Sequence, residues 1–230
     1  MTELAGLTSA EVGELAAAGA LLAVPVGATE QHGPHLPLCT DTDLAVALCA
    51  RLAAARPGVL VAPPLAYGGS GEHEDFPGTL SIGTEVVELL LVELGRSATL
   101  TFSRVLLVST HGGNTDAVRR AERRLRSESR DVRAWLPSWE SDAHAGRAET
   151  SLELALAPNR VRLGRAEAGN TRPLTELMPG LRRSGVRAVS PNGVLGDPAG
   201  ASGAVGKALL GRLTADLLAT VDAWEARQAP

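Results

Sequence analysis

The sequence is poor in aromatic residues, cysteine and long apolar runs, and each shortage narrows what the protein can be. Aromatic residues make up 3% of the 230 residues, so a core must be built mainly from Leu, Val and Ala. The two cysteines, Cys39 and Cys49, are too few for a disulfide framework and fit a reduced cytoplasm. No apolar run reaches the length of a membrane span, and Thr2-Glu3 stands where a signal peptide would carry positive charge. We therefore expect a cytoplasmic protein without a membrane partner.

Charge of one sign does not dominate the chain either. The net charge is -4, and acidic and basic residues are scattered along the sequence. The one basic cluster, within residues 119–126, recurs at helical spacing and is interleaved with Glu122 and Glu128. That pattern indicates a solvated or subunit-facing side of a helix. A nucleic-acid partner is therefore not expected.

Short apolar runs alternate with amphipathic segments along the sequence. The predicted strands are 21–26, 59–62, 105–108 and 132–136, and the predicted helices are 8–19, 42–55, 84–98, 115 to about 130, a segment containing Glu149, and 203–227. Residues 158–200 are predicted to be irregular except for a short strand, Val186–Val189. This alternation predicts an α/β fold with a mostly parallel sheet and helices on both faces. No linker divides the chain, so residues 1–230 are expected to form a single domain.

The histidines are concentrated where such a fold places its ligands. All five lie in loops after the first four predicted strands or at the helix starts that follow, namely His32, His35, His73, His111 and His144. Ligands of parallel α/β sheets bind outside the carboxyl ends of the strands. Histidines that served only packing would also be expected within the helices or in the last third of the chain. Their distribution therefore predicts one site at this edge of the sheet.

Carboxylates accompany these histidines at metal-ligand spacing. Glu30 and His32 are two residues apart, so an extended segment presents both on one side, and Asp41 follows at the start of a helix. His111 follows the third strand and precedes Gly112-Gly113, which permits close backbone approach. Imidazole and carboxylate ligands together suit Zn, Mn or Fe, and Asp41 is able to bridge two ions. The alternative is a surface loop in which Asp41 only caps a helix.

Two further groups complete the predicted site. The Gly-rich loop 68–79 lacks the lysine of a phosphate loop, so Ser70 and His73 are predicted to contact substrate, the alternative being a mobile surface loop. His144 and Glu149 flank a helix start, where Glu149 could instead serve only the helix dipole. A serine hydrolase is disfavoured because no Gly-x-Ser-x-Gly segment is present.

These motifs together resemble the creatininase family of metal-dependent amidohydrolases. The resemblance runs from Val24 to about Leu156 and rests on Asp41 and on the segments 30–38, 72–80, 111–114 and 144–151. It implies a three-layer α/β/α sandwich, two divalent ions per chain (Zn²⁺, Fe²⁺ or Mn²⁺) and a homo-oligomer built as a ring of dimers. Within the family the chain is most similar to a peptidase that acts on a modified precursor peptide, a choice that segment 190–198 supports.

The resemblance also assigns roles to individual residues. It implies that Glu30, Asp41 and His111 hold one ion and that His32 and Asp41 contribute to the other. His144 and Glu149 match a pair implicated in activity, so both are predicted to be catalytic.

One position departs from the family pattern. In creatininase itself an acid two residues after the third-loop histidine completes the second metal site, but Gly113 stands there in this chain. We predict that Glu149 supplies the missing ligand, because a break at Ala145-Gly146 would let it point inward from the first turn of its helix. The other acids available are Glu72, Glu74, Glu140 and Asp142.

These expectations combine into a metal-dependent hydrolase of an amide C–N bond, acting on a modified peptide or small amide. A hydroxide at the metals attacks the carbonyl carbon, and a protonated His144 donates a proton to the leaving nitrogen. The favoured reaction releases a dipeptide-derived unit from the modified carboxyl end of a precursor peptide. The alternatives are lactam ring opening, formamide hydrolysis, and a metal-binding scaffold without catalysis.

Overall fold

A five-stranded parallel sheet forms the centre of the computed structural model, which describes residues 2–138 and 142–227. Its strands are β1 Thr2–Glu3, β2 Leu21–Val26, β3 Val59–Val61, β4 Arg104–Ser109 and β5 Val132–Trp135. Their order is β1-β3-β2-β4-β5, and every pairing is parallel. The chain leaves β2 towards β3 on one side and later enters β4 on the other. A crevice therefore forms outside the carboxyl ends of β2 and β4, where parallel sheets bind ligands.

Helices cover both faces of this sheet. They are α1 Ser9–Ala17, α2 Thr40–Ala55, α3 Thr84–Ala98, α4 Thr115–Ser127, α5 Arg147–Leu156, α6 Leu174–Val189 and α7 Gly203–Ala226. Helices α1, α3 and α4 pack on one face, and α2, α5 and α7 pack on the other. The three-layer α/β/α sandwich expected from the sequence is confirmed.

The strand sequences explain why both faces are covered. Along β2, Leu22 and Val24 pack beneath α3 and α4, whereas Leu21 and Ala23 pack beneath α2 and α7. Successive strand residues point to opposite faces, so a strand that is apolar at every position has to be covered twice. The whole of β2 is buried accordingly.

Local signals also set individual helix boundaries. The N-cap of α1 is Thr8, whose hydroxyl accepts a hydrogen bond from the Glu11 N–H while the Glu11 carboxylate accepts one from the Thr8 N–H. The two-residue strand β1 at the start of the chain was not predicted, because Thr2-Glu3 carries no apolar pattern.

The prediction of a strand at Val186–Val189 is wrong. These residues end α6, which has a break at Gly185, where φ is 72°. Val186 is buried against Phe76 and Leu177 rather than in the sheet. Pro179 and Gly185 interrupt the helical pattern in the sequence, which hid α6 within the segment expected to be irregular.

Within the described ranges, no helix combines the length and the apolar character needed to cross a bilayer.

Candidate metal centre

The predicted site residues converge at the carboxyl edge of the sheet. Glu30, His32 and Asp41 come from the chain after β2, His111 follows β4, and His144 and Glu149 follow β5. Ser70 and His73 follow β3. A cavity of about 630 Å³ opens here. The ligands nearest the sheet are buried, and Glu30 is fully inaccessible to solvent.

Asp41 lies between two imidazole rings, as a bridging ligand requires. Its Oδ2 is 3.2 Å from His111 Nδ1, and its Oδ1 is 3.6 Å from His32 Nε2. The Thr110 hydroxyl donates to the Asp41 carbonyl at 2.7 Å, which ties the start of α2 to the end of β4. Each oxygen of one carboxylate thus faces a different imidazole.

Backbone carbonyls orient the two rings. His32 Nδ1 is 3.0 Å from the Glu30 carbonyl, and His111 Nε2 is 3.1 Å from the Gly69 carbonyl. Because a carbonyl only accepts, the hydrogen of each ring belongs on that nitrogen. The remaining lone pairs, on His32 Nε2 and His111 Nδ1, then both face Asp41. Metal-ligating histidines are held in this way.

Among the residues that the structure describes, three groups of side chains present potential ligand atoms within 4.8 Å of one another. They are Glu30, Asp41 and His111; His32, His144 and Glu149; and Glu30, His73 and His144. The first group matches the set that the resemblance implied for one ion. Glu30 Oε1 and Oε2, His32 Nε2 and Asp41 Oδ2 are buried without a hydrogen-bond partner. Buried carboxylates without hydrogen-bond donors are costly, and the ion-pair partners of these oxygens are histidine rings, so the residues fit a bound divalent cation.

The pKa values show how strongly the centre attracts positive charge. Burial raises the pKa of Glu30 to about 7. Burial disfavours the charged rings of His32 and His111, yet the neighbouring carboxylates raise the pKa of each to about 10. Burial likewise opposes ionisation of Asp41, but the two rings hold its pKa well below its usual value. A metal ion would replace these protons, since ligation requires neutral imidazole and ionised carboxylate.

His144 and Glu149 adopt the arrangement that the sequence predicted. The break lies at Ala145, where φ is 54°, and α5 begins at Arg147. His144 therefore lies in the preceding loop, while Glu149 occupies the first turn with Oε2 4.0 Å from His32 Nε2. The same Oε2 accepts a hydrogen bond from the Ala145 N–H at 2.5 Å. Glu149 faces the metal centre and also stabilises the loop.

The surroundings of His144 disfavour the protonated ring that the sequence led us to expect. Its Nε2 is 2.8 Å from the Gln31 carbonyl, which places the ring hydrogen on that nitrogen. Burial, followed by the charges of His32 and His73, holds the pKa of His144 well below its usual value. A proton donor at this position must first take up a proton during the reaction.

The two residues predicted to contact substrate have different surroundings. Ser70 is fully buried, and its hydroxyl lies 3.2 Å from His111 Nε2, beside the metal ligands. His73 lines the cavity, with Nε2 3.3 Å from Glu30 Oε1 and its ring tilted against that of His144, the ring centroids being 4.5 Å apart. Burial lowers the pKa of His73 to about 3, so this ring is neutral.

Gln31 was quoted in the motif but not selected as a site residue. Its side-chain nitrogen is 2.7 Å from His73 Nδ1 and 3.1 Å from the Gly193 carbonyl, and its Oε1 accepts from the Gly33 N–H. It thereby holds the His73 ring in place. The position of Gln31 between Glu30 and His32 was the signal in the sequence that could have identified it. Its contact with Gly193 could not be predicted, because the two residues are separated by most of the chain.

The structure leaves no room for a side chain at Gly113. A Cβ at this position would lie 2.2 Å from the Gly69 carbonyl oxygen and 2.5 Å from His111 Nε2. The backbone of the β3 loop thus occupies the space that a side chain would need. Of the other acids considered for the second site, Glu72 lines the cavity and Glu140 lies outside the described residues.

Gly113→Ala should therefore displace the His111 ring and the loop that contains Gly69. We expect the free energy of unfolding to fall by about 1–3 kcal/mol, as for other overpacked sites, and metal to bind more weakly because His111 is displaced. Denaturant unfolding and metal titration measure the two effects. Gly112→Ala is the matched control, because a Cβ there has no neighbour within 4 Å. Equal behaviour of the two variants would contradict this account.

Comparison with known proteins supports the same assignment. A sequence model of the creatininase family, described as creatinine amidohydrolase, matches residues 5–221. The mycofactocin precursor peptide peptidase of Mycobacterium ulcerans (strain Agy99) is 48% identical over 211 residues, which cover 87% of this chain and 84% of that protein. The Mycobacterium tuberculosis (strain H37Rv) protein of the same description is 47% identical, covering 95% and 91%.

Solved structures agree with the fold. A crystal structure of creatininase superposes with a TM-score of 0.79 at 26% identity, covering 100% of this chain and 98% of that one. Related creatininase structures include a manganese form and a zinc form.

Proposed function

This chain belongs to the creatininase family of metal-dependent amidohydrolases, and from that premise we propose that it is a peptidase acting on the mycofactocin precursor peptide. The observation that carries the proposal is the buried cluster of Glu30, His32, Asp41 and His111, in which both Glu30 carboxylate oxygens, His32 Nε2 and Asp41 Oδ2 lack hydrogen-bond partners. The relatives that share nearly half of its residues are described as peptidases of that precursor. The bond cleaved would be an amide near the modified carboxyl end, releasing a dipeptide-derived unit.

Two divalent ions would be held by the chain's own ligands. Glu30, Asp41 and His111 would hold one, and His32, Asp41 and Glu149 the other. When bound, such ions supply Lewis acidity and lower the pKa of water at the site. Manganese, zinc and iron all suit this set of nitrogen and oxygen ligands. The proposal also includes a cytoplasmic location and assembly as a ring of dimers.

His144 would move the proton during hydrolysis. With Nε2–H donated to the Gln31 carbonyl, Nδ1 is the nitrogen available to take a proton. The water oxygen forms a bond to the amide carbon, its proton passes to His144 Nδ1, and the C–N bond breaks as that proton is delivered to the leaving nitrogen. His73 and Gln31 fix the position of the neighbouring rings.

The test is hydrolysis of the modified mycofactocin precursor peptide. Protein reconstituted with Mn²⁺, Zn²⁺ or Fe²⁺ should release the carboxyl-terminal unit, identified by mass spectrometry, and chelator-treated protein should not. Ring opening of creatinine without cleavage of the peptide would favour the alternative family chemistry. Metal binding without any amide hydrolysis would favour a scaffold.

Metal content is a separate expectation. Fully active protein should contain about two divalent ions per chain, because the candidate ligands exceed what one four-coordinate catalytic ion with an open position needs. Elemental analysis of the protein, combined with activity during stepwise chelation, measures this. Full activity with no more than one ion per chain would rule out the two-metal centre.

A further inference from the structure

A second cavity adjoins the metal centre. It has a volume of about 660 Å³, similar to the 630 Å³ of the first. Ala143, Leu174 and Leu195 line both cavities. The two cavities are therefore neighbours, and a peptide with its reacting amide at the candidate ligands would have to pass these residues to reach the second cavity.

Arginine side chains from three separate elements line the second cavity. Arg147 begins α5, Arg172 precedes α6, and Arg212 lies on α7. All three are exposed to solvent, so their charges are accessible to a ligand. The first cavity has a similar rim, where Arg182 and Arg183 of α6 face the opening. This concentration of arginines contrasts with the net charge of the whole chain, which is -4.

The acids that line the second cavity accept hydrogen bonds from backbone N–H groups. The Asp142 carboxylate accepts hydrogen bonds from the Arg147 and Ala148 backbone N–H groups, and Asp197 Oδ1 accepts one from the Ala199 N–H at 2.8 Å. Both carboxylates are thus hydrogen-bonded to backbone N–H groups.

The guanidinium groups themselves lack strong partners. Within residues 2–138 and 142–227, the guanidinium groups of Arg147 and Arg212 make no hydrogen bond or ion pair. Arg172 faces Glu176 at 3.9 Å, and both of these side chains are more than half exposed. An exposed pair at that distance contributes little. Unpaired guanidinium groups in a concave surface are suited to planar anions, above all carboxylates.

We propose that the second cavity binds carboxylate groups of the peptide substrate, and so selects an acidic segment joined to the reacting amide. This inference rests on the proposed peptidase function for the identity of the ligand. Arg147 and Arg212 are the principal contacts, because they approach from different helices and their guanidinium groups make no ion pair among the described residues.

Direct binding tests the proposal without requiring turnover. The probe is a fluorescein-labelled, Glu-rich peptide with an amidated carboxyl terminus, compared with its Gln counterpart by fluorescence anisotropy on metal-loaded protein. We expect the Glu peptide to bind about tenfold more tightly, with the difference falling as salt rises. A third peptide, the Gln sequence with a free terminal carboxylate, distinguishes side-chain from terminal recognition. A preference for the Glu side chains supports the proposal, whereas a preference for the terminal carboxylate alone would overturn the selection of an acidic segment.

Two double variants test whether the arginines of the second cavity cause the preference for carboxylate. Arg147→Gln with Arg212→Gln should abolish the preference for carboxylate. Arg123→Gln with Arg126→Gln removes the same charge from α4, which lines neither cavity, and should leave the preference intact. Equal binding of all peptides, or a preference that survives in the first double variant, would overturn the proposal. Failure to hydrolyse any peptide would refute the proposed function. The anisotropy measurements do not depend on hydrolysis and test the carboxylate site independently.

Discussion

Asp41→Asn is expected to remove both divalent ions and to reduce hydrolysis by at least about a thousandfold. Asp41 Oδ1 faces His32 and Oδ2 faces His111, so one carboxylate serves both proposed ion sites. Asparagine keeps the size of the side chain but offers one oxygen and no charge. Removing a single negative charge therefore weakens two sites at once. Elemental analysis and single-turnover hydrolysis measure the losses.

His35→Ala is the control for this variant. His35 is as deeply buried as the ligands, but its Nε2 is 2.8 Å from the Thr150 hydroxyl, and it belongs to none of the potential ligand groups. It should retain most of the metal, with at most the loss of affinity typical of residues that position ligands, about 10–100-fold. Circular dichroism establishes that both proteins are folded before metal is measured. Equal metal loss in the two variants would contradict the bridging role of Asp41.

The parts of the site that could be read from the sequence are those that follow from strand direction. Once β2 and β4 are recognised as parallel, the residues after them must meet at one edge, which brings Glu30 and Asp41 to His111. The inward position of Glu149 also followed from a local signal, the Ala145-Gly146 break. In both cases a short stretch of chain determines where the side chain lies.

Other features depend on contacts between distant segments, and the sequence does not encode them locally. The Gln31 side chain meets the Gly193 carbonyl across a separation of 162 residues. The collision that keeps position 113 free of a side chain comes from the Gly69 carbonyl on another loop. Helix α6 was missed because its Pro179 and Gly185 resemble loop residues, although its Leu177 and Val186 are buried against Phe76. These contacts become visible only once the layers are assembled.

Glu149→Gln should empty the second ion site while the ion at Glu30, Asp41 and His111 remains. The Glu149 carboxylate lines the cavity with its Oε2 4.0 Å from His32 Nε2. Burial raises the pKa of Glu149, although the charge of the His32 ring opposes this rise. A divalent ion shared with His32 and Asp41 would stabilise the ionised carboxylate further. Without this charge, we expect one ion per chain and a loss of activity of at least about a hundredfold.

The choice of glutamine separates the metal-binding role from the structural one. Glu149 Oε2 accepts the Ala145 N–H, and the glutamine carbonyl can accept the same hydrogen bond, so the loop before α5 should stay in place. A role limited to capping or to the helix dipole is worth only about 0.3–2 kcal/mol of stability and does not change metal content. Unfolding measurements and elemental analysis on the same preparation therefore distinguish the two roles. If Glu149→Gln retains two ions and near-normal turnover, Glu149 only stabilises the start of α5. The remaining ligand of His32 and Asp41 would then have to come from another acid, with Glu72 first among those that line the cavity.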